Sequence, residues 1–174
     1  MTKNITMQRV PCKSHKAKGF TMIEVLVAIV VLSIGLLGLA GLQATGLRNN
    51  QSAYLRTIAT QQAYDMADRI RANPNGVLAG QYDNISTAIP ATPPADCVTH
   101  SCTASDMAAY DAYAWKTATA NLLPSGKSAV SRPAGGTRFT ITVMWDDARN
   151  GATGTGCDPN NPNDLTCFSM SFQP

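Results

Sequence analysis

The sequence predicts an α+β fold in which one long helix packs on a small antiparallel sheet, and three observations carry that prediction. Residues 20–44 are 25 consecutive positions, all apolar or small except Glu24 and Gln43. Beyond Ala44, apolar residues recur at three- and four-residue steps as far as Ala72, with charged residues between them. Two stretches near the C-terminus, 138–145 and 166–172, alternate apolar and polar residues. With only the later part of the helix apolar on one face, the sheet has one surface on which to lie.

The apolar run comes first. At about 1.5 Å of rise per residue, 25 residues suffice to cross a hydrocarbon core of about 30 Å as a helix. Lys3, Arg9, Lys13, Lys16 and Lys18 precede it with no acid among them, so the positive-inside rule places residues 1–19 in the cytoplasm and carries everything after Ala44 across. The run exceeds the apolar core of a secretory signal and lacks an Ala-x-Ala step after it. Glu24 is the chain's one glutamate, and an acid inside such a segment costs roughly 2.5 to 3.5 kcal/mol at the bilayer centre. An intramembrane acid is a functional residue by default. Glu24 lies one helical turn after Phe20, within reach of the start of its own helix or of the terminal amine of a neighbouring chain.

The junction Gly19-Phe20-Thr21-Met22-Ile23-Glu24-Val25, behind a basic leader, resembles the type IV prepilin motif. The resemblance implies a type IV pilin-like fold, cleavage between Gly19 and Phe20 by a prepilin peptidase, and methylation of the new amine on Phe20. It also implies that Glu24 takes part in assembly by pairing with the amine of an incoming subunit. The chain then divides into a cleaved leader (1–19), a transmembrane assembly helix (20–44), an amphipathic continuation (45–72) and a periplasmic head (73–174).

Later motifs resemble the minor pilins of type IV pili, the PilV-like ones in particular. They are Arg69-Ile70-Arg71-Ala72-Asn73-Pro74, Leu123-Pro124-Ser125-Gly126, Val143-Met144-Trp145-Asp146 and Ser171-Phe172-Gln173-Pro174. The implied protein is a non-enzymatic minor pilin that helps initiate assembly and surface display of the fibre, with twitching motility, adhesion or DNA uptake downstream. Its partners would be other minor and major pilins, the prepilin peptidase and the inner-membrane assembly machinery. It would span the bacterial inner membrane once, amino terminus in the cytoplasm, before reaching the periplasm and the surface pilus. A type II secretion pseudopilin shares the leader and Glu24, and a tip-exposed adhesin or DNA-binding module is a third reading.

Composition narrows the classes. The chain holds 14 Lys and Arg against 11 Asp and Glu, but without the leader's five basic residues the balance is nine against 11. With no basic run after Lys18, nucleic-acid binding is not expected. Cys12 falls in the leader. Cys97, Cys102, Cys157 and Cys167 fall on the exported side, where two disulfides are expected. Of three possible pairings, proximity favours Cys97 with Cys102 and Cys157 with Cys167, each pinning a loop. Their spacings fit neither zinc nor redox motifs, and no metal or cofactor is expected.

The remaining elements follow in order. The first helix stops at Ala72-Asn73-Pro74-Asn75-Gly76, because Pro74 disfavours helix for Asn73 and the Asn-Gly pair suits a turn. Phe20 to Ala72 would make 53 residues, about 80 Å if unbroken. Gly35, Gly38, Gly41 and Gly46 weaken it or permit close helix packing. Gly41 stands where pilins carry a helix-breaking proline. Residues 73–104, rich in Pro and Thr, read as an irregular connection. A short helix follows, with Ser105 as N-cap, Asp106 at its positive end and Met107, Tyr110, Ala114, Ala118 and Leu122 at helical steps. Trp115 reads as core packing. Strands are expected at 138–145 and Thr166–Phe172, with a shorter one at Ser128–Ser131 across the Pro133-Ala134-Gly135-Gly136 turn.

Nothing in this pattern assembles a catalytic site. His100 is the one histidine after the leader, and no nucleophile or orienting acid is placed beside it by spacing. Asp158-Pro159-Asn160-Asn161-Pro162-Asn163-Asp164 offers oxygen ligands that calcium favours, but turn chemistry accounts for the same residues.

Overall fold

The computed structural model describes residues 19–174; the leader's basic residues and Cys12 lie outside the described residues. The first element, α1, is one continuous helix, Met22–Ala72, of 51 residues. Gly35, Gly38, Gly41 and Gly46 do not interrupt it, and each has open space where a side chain would stand. Ser33 and Thr45 return their hydroxyl protons to the carbonyls of Ile29 (2.7 Å) and Gly41 (3.1 Å), so these polar groups are satisfied within the helix.

The chain divides into two compact units, one ending at Thr45 and the other Gly46–Pro174. In the first, every described residue is exposed, although most are large and apolar. An apolar helix with no protein around it needs another apolar medium. Among the described residues α1 is the one helix long and apolar enough to cross a membrane.

The second unit is an α+β head. Its sheet has the order β1-β2-β3-β4, from β1 (Asn84–Ile85), β2 (Lys127–Ser131), β3 (Phe139–Trp145) and β4 (Thr166–Phe172). All neighbours are antiparallel, with Val130 opposite Ile141 and Ile141 opposite Met170. Period-two alternation sends Phe139, Ile141, Val143 and Trp145 to one face, where Leu55, Ala59, Ala63, Met66 and Ile70 of α1 join them in the core. A second helix in the core, α3 (Ala104–Leu122), contributes Ala108 and Trp115, the latter fully buried. Its indole Nε1–H donates to the Gln62 carbonyl of α1 at 2.8 Å, which satisfies the one polar atom of a large apolar ring.

The opposite face of the sheet is not bare. Met144 points there and is covered by Ala152 and Leu165, with Ala129, Cys157 and Cys167 packed alongside. The segment after β3 therefore folds back over the outer face and is fastened to β4 through Cys157–Cys167.

Two details differ from the sequence expectation. The connection 73–104 contains regular structure, a five-residue helix α2 (Pro74–Leu78) and the strand β1. Asn73 caps α2 by accepting the Gly76 N–H at 3.1 Å, and Pro74 occupies a first-turn position that needs no donor. Gly76 is required there because a Cβ would lie 2.5 Å from the Asn73 amide nitrogen.

The second difference concerns the start of α3, which is capped by Thr103, not Ser105. Thr103 Oγ1 accepts from Asp106 N–H (3.2 Å) while the Asp106 carboxylate accepts from Thr103 N–H (3.3 Å), a reciprocal capping box. Ser105 is thereby inside the helix, and its hydroxyl reaches Gln81 Oε1 at 3.1 Å.

Candidate functional site

The first unit presents its distinctive groups at its beginning. Gly19, Phe20 and Thr21 precede the helix, so the Gly19–Phe20 bond lies in non-helical backbone. Thr21 opens α1: its carbonyl accepts from Glu24 N–H (3.1 Å) and Val25 N–H (3.3 Å). Among the described residues the Glu24 carboxylate has one side-chain partner, the Thr21 hydroxyl at 3.5 Å. Glu24 and Phe20 lie along one strip of the helix with Val25, Ala28, Ile29 and Leu32. The strip offers one carboxylate in an apolar surface, which suits pairing with a single cation.

In the head, a polar network joins α1, the α2 turn and α3. Asp111, buried on α3, accepts from the Tyr82 hydroxyl (2.7 Å) and from Arg69 Nη1 (3.1 Å). Arg69 Nε also binds Asp65 one turn back on α1 at 2.9 Å. Burial alone would lower the pKa of Arg69, but its bonds to Asp65 and Asp111 outweigh that and raise it. Asn73 Nδ2 donates to the Tyr82 oxygen (3.1 Å) and to the Ala104 carbonyl (2.7 Å). Burial first, and the hydrogen bond to Asp111 second, push the Tyr82 phenol well above its usual range. The network holds the end of α1, the α2 turn and the start of α3 in one arrangement.

The cysteines form two disulfides, Cys97–Cys102 and Cys157–Cys167. Just before the first loop the exposed Asp96 carboxylate accepts from Val98 N–H (2.9 Å) and the Thr99 hydroxyl (2.7 Å) within it, and Thr99 Oγ1 lies 2.8 Å from His100 Nδ1. Thr99 and Val98 hold the Asp96 carboxyl below its usual range. This is not the order of a hydrolytic triad. The carboxylate holds the hydroxyl instead of orienting the imidazole, and all three side chains are exposed.

In the second loop, Asp158 and Asn161 accept N–H groups two residues on, and Asp164 Oδ2 accepts from Asp158 N–H at 3.1 Å. Loop amides occupy the oxygens proposed for calcium, and among the described residues no group of acids, histidines or cysteines is arranged to hold a metal.

Two family profiles meet end to end on this chain. One, described as the prokaryotic N-terminal methylation motif, matches residues 14–40, and the other, described as type IV pilin Tt1218, matches residues 41–113. Together the two matches support a type IV pilin. Searches of curated proteins and of solved structures return no match. The pilin assignment accords with the architecture, a long apolar helix continued into an α+β head, and with a membrane-anchored chain that associates with other pilin subunits.

The second profile ends inside α3, two residues beyond Asp111, so it includes every residue of the polar network. Sequence reasoning did not pick out Tyr82 or Asp111. One signal was available for Asp111, an acid one turn before Trp115 on the face of α3 that also carries Ala108 and Thr119. A carboxylate among core positions requires partners.

Proposed function

We propose that this pilin is a minor pilin of the PilV-like kind, which helps initiate assembly and surface display of a type IV pilus. In this reading prepilin peptidase cuts between Gly19 and Phe20, and the amine of Phe20 is methylated. Glu24 receives the amine of a neighbouring subunit and sets its axial register. Twitching motility, adhesion or DNA uptake would follow from the fibre, not from catalysis by the subunit. The observation that carries the reading is Glu24 itself, a lone carboxylate on an apolar helix whose only described side-chain contact is one weak hydroxyl bond. Such a group is unfavourable in hydrocarbon until a cation arrives, so it rewards docking at one axial position.

The test is intact-mass spectrometry of sheared surface fibres and of membranes from the same cells. The expected species in fibres is methylated Phe20 through Pro174 with two disulfides. The same mass confined to membranes would favour a pseudopilin, and an uncut chain would overturn the reading. Gly19→Leu should block processing, and an unchanged mature terminus in that variant would refute the cut.

A further inference from the structure

The chain contains two Asn-Gly pairs, Asn75-Gly76 and Asn150-Gly151. Such a pair closes a five-membered imide when the glycine nitrogen reaches the asparagine Cγ, an approach that no Cβ on the glycine obstructs. Sequence alone ranks the two pairs equally, and their surroundings separate them.

Asn75-Gly76 lies within α2, where Gly76 is buried and its N–H is held by Asn73 Oδ1 at 3.1 Å. Asn73 and Tyr82 fill the space where a Gly76 Cβ would stand. The Asn75 carbonyl accepts from Ala79 N–H (3.0 Å), so the backbone is fixed on both sides of the pair. Imide closure there would require the Asn73–Tyr82 end of the head to open.

Asn150-Gly151 stands in the turn after β3, and both residues are exposed. Gly151 takes φ 86°, with open space where a Cβ would stand. Asn150 Oδ1 accepts from Ala152 N–H at 3.1 Å, which folds the side chain back over the Gly151 peptide and brings Cγ beside its nitrogen. Asn150 Nδ2 donates to the Pro162 carbonyl (3.2 Å) and holds the amide in that pose. Asp146, 4% exposed, accepts from Asn150 N–H (3.2 Å) through Oδ1 and from Gly151 N–H (2.8 Å) through Oδ2. A carboxylate therefore sits on the proton of the attacking nitrogen, and a backbone N–H sits on the oxygen that gains charge.

We propose that Asn150 is a self-modifying site, which this turn converts to aspartate and isoaspartate. The Gly151 nitrogen bonds to Asn150 Cγ as its proton passes to Asp146 Oδ2, and the Ala152 N–H steadies the charge on Oδ1. The Cγ–Nδ2 bond then breaks, and Nδ2 leaves as ammonia with that proton returned by way of solvent. Water opens the imide. Attack at Cγ gives aspartate with the original backbone, and attack at the backbone carbonyl carbon gives isoaspartate, with the chain routed through the side chain.

Either product loses the donor to Pro162 and adds a carboxylate to a concavity that already holds Asp146 and Asp147. Asp147 is itself engaged by Ser52 Oγ (2.8 Å) and Trp145 Nε1 (2.8 Å). The cover that Ala152 and Leu165 lay over Met144 thereby loses a tie, while Cys157–Cys167 still tethers it. The change does not reverse, so it records the age of each molecule.

The test incubates the full chain in detergent at neutral pH and reads tryptic peptides by fragmentation mass spectrometry. Cleavage after Arg71, Lys116 and Arg149 puts the two pairs in separate peptides. In the folded chain Asn150 should turn to acid about a hundredfold faster than Asn75, the scale of a positioned base. In guanidinium the two rates should converge. Equal rates in the folded chain would overturn the site, and a native-like ratio in guanidinium would assign the preference to sequence and refute the role of the turn.

Asp146→Asn, in a chain that keeps its native tryptophan fluorescence, should remove most of the advantage of Asn150, and an undiminished rate would refute Asp146 as the base. Asn150→Asp stands in for the aspartate product. It should speed hydrogen exchange at Gly154 N–H and Leu165 N–H, which bond Asn163 and Gly154 within the cover, about tenfold. Unchanged exchange at both amides would refute the loosening.

Discussion

Replacing Asp111 by Ala tests whether the polar network is what fixes the first helix to the third. The loss can be worked from its two partners. Tyr82 is fully buried and its hydroxyl has no other acceptor among the described residues, so an unsatisfied donor remains at a cost of about 1 to 3 kcal/mol. Arg69 keeps Asp65 at 2.9 Å and its side chain is 32% exposed, so its share is under about 1 kcal/mol after solvent screening. The sum is about 3 kcal/mol. That is a sizeable fraction of the 5 to 15 kcal/mol that holds an ordinary domain, and it lowers the melting temperature of a head this size by about 10 °C. Asp111→Asn preserves shape and one acceptor and should cost less.

The assay is guanidinium unfolding of the full chain in detergent, followed by tryptophan fluorescence. Trp115 and Trp145 are both fully buried in the head, so the signal reports that unit alone. In a Tyr82→Phe background the further cost of Asp111→Ala should fall, because the hydroxyl left without an acceptor is gone. A loss below about 0.5 kcal/mol, or strict additivity of the two changes, would refute the network as the source of the stability.

Tyr82 also makes stability depend on alkali. Its pKa is raised in the folded state, so its contribution is full below the unfolded tyrosine value of about 10 and is lost as pH rises past it. Tyr82→Phe should flatten that fall in the unfolding midpoint, and an unchanged pH profile would count against it. Thr103→Ala should cost about 1 kcal/mol while Ser105→Ala costs little, measured in the same assay, since only Thr103 closes the start of α3. Glu24→Ala should leave the chain in membranes but reduce its share of sheared fibres about tenfold or more, the factor that about 1.4 kcal/mol of lost pairing gives. Quantitative mass spectrometry of both fractions reads that ratio, and equal incorporation would sink the assembly role of Glu24.

Where local chemistry decides, the fold was legible. Pro74 ends α1 at Ala72 because proline restricts the residue before it, and alternation alone placed β4 at Thr166–Phe172. The core face of β3 followed from the same period. The glycines of the apolar segment were less informative, since a helix surrounded by apolar solvent has every backbone bond to gain by staying closed. The cap of α3 was misplaced by two residues because several small polar residues precede the helix, and only the reciprocal bond between Thr103 and Asp106 distinguishes the cap.

The head's polar site was not legible as a site. Tyr82 and Asp111 are 29 residues apart, with β1 and the Cys97–Cys102 loop between them, and their meeting is a tertiary event that no local pattern encodes. The cover over the outer sheet face was missed for a related reason. Ala152 and Leu165 are isolated apolar residues in a segment of turns, and only their packing on Met144 gives them a role. The Gly19, Phe20 and Glu24 junction is a linear motif, and a profile match over residues 14–40 covers it.

The two ties on α1 have a mechanical consequence. Ser52 is bound to Asp147 beside β3, and Arg69 is bound to Asp111 on α3, 17 residues or about 26 Å apart along the same helix. Consider a pull applied along this helix. Held at one end, the helix would peel from the sheet contact by contact, each rupture at low force. Pinned at both ends, it must slide as a unit, so the resisting bonds are strained in parallel and the head yields in shear.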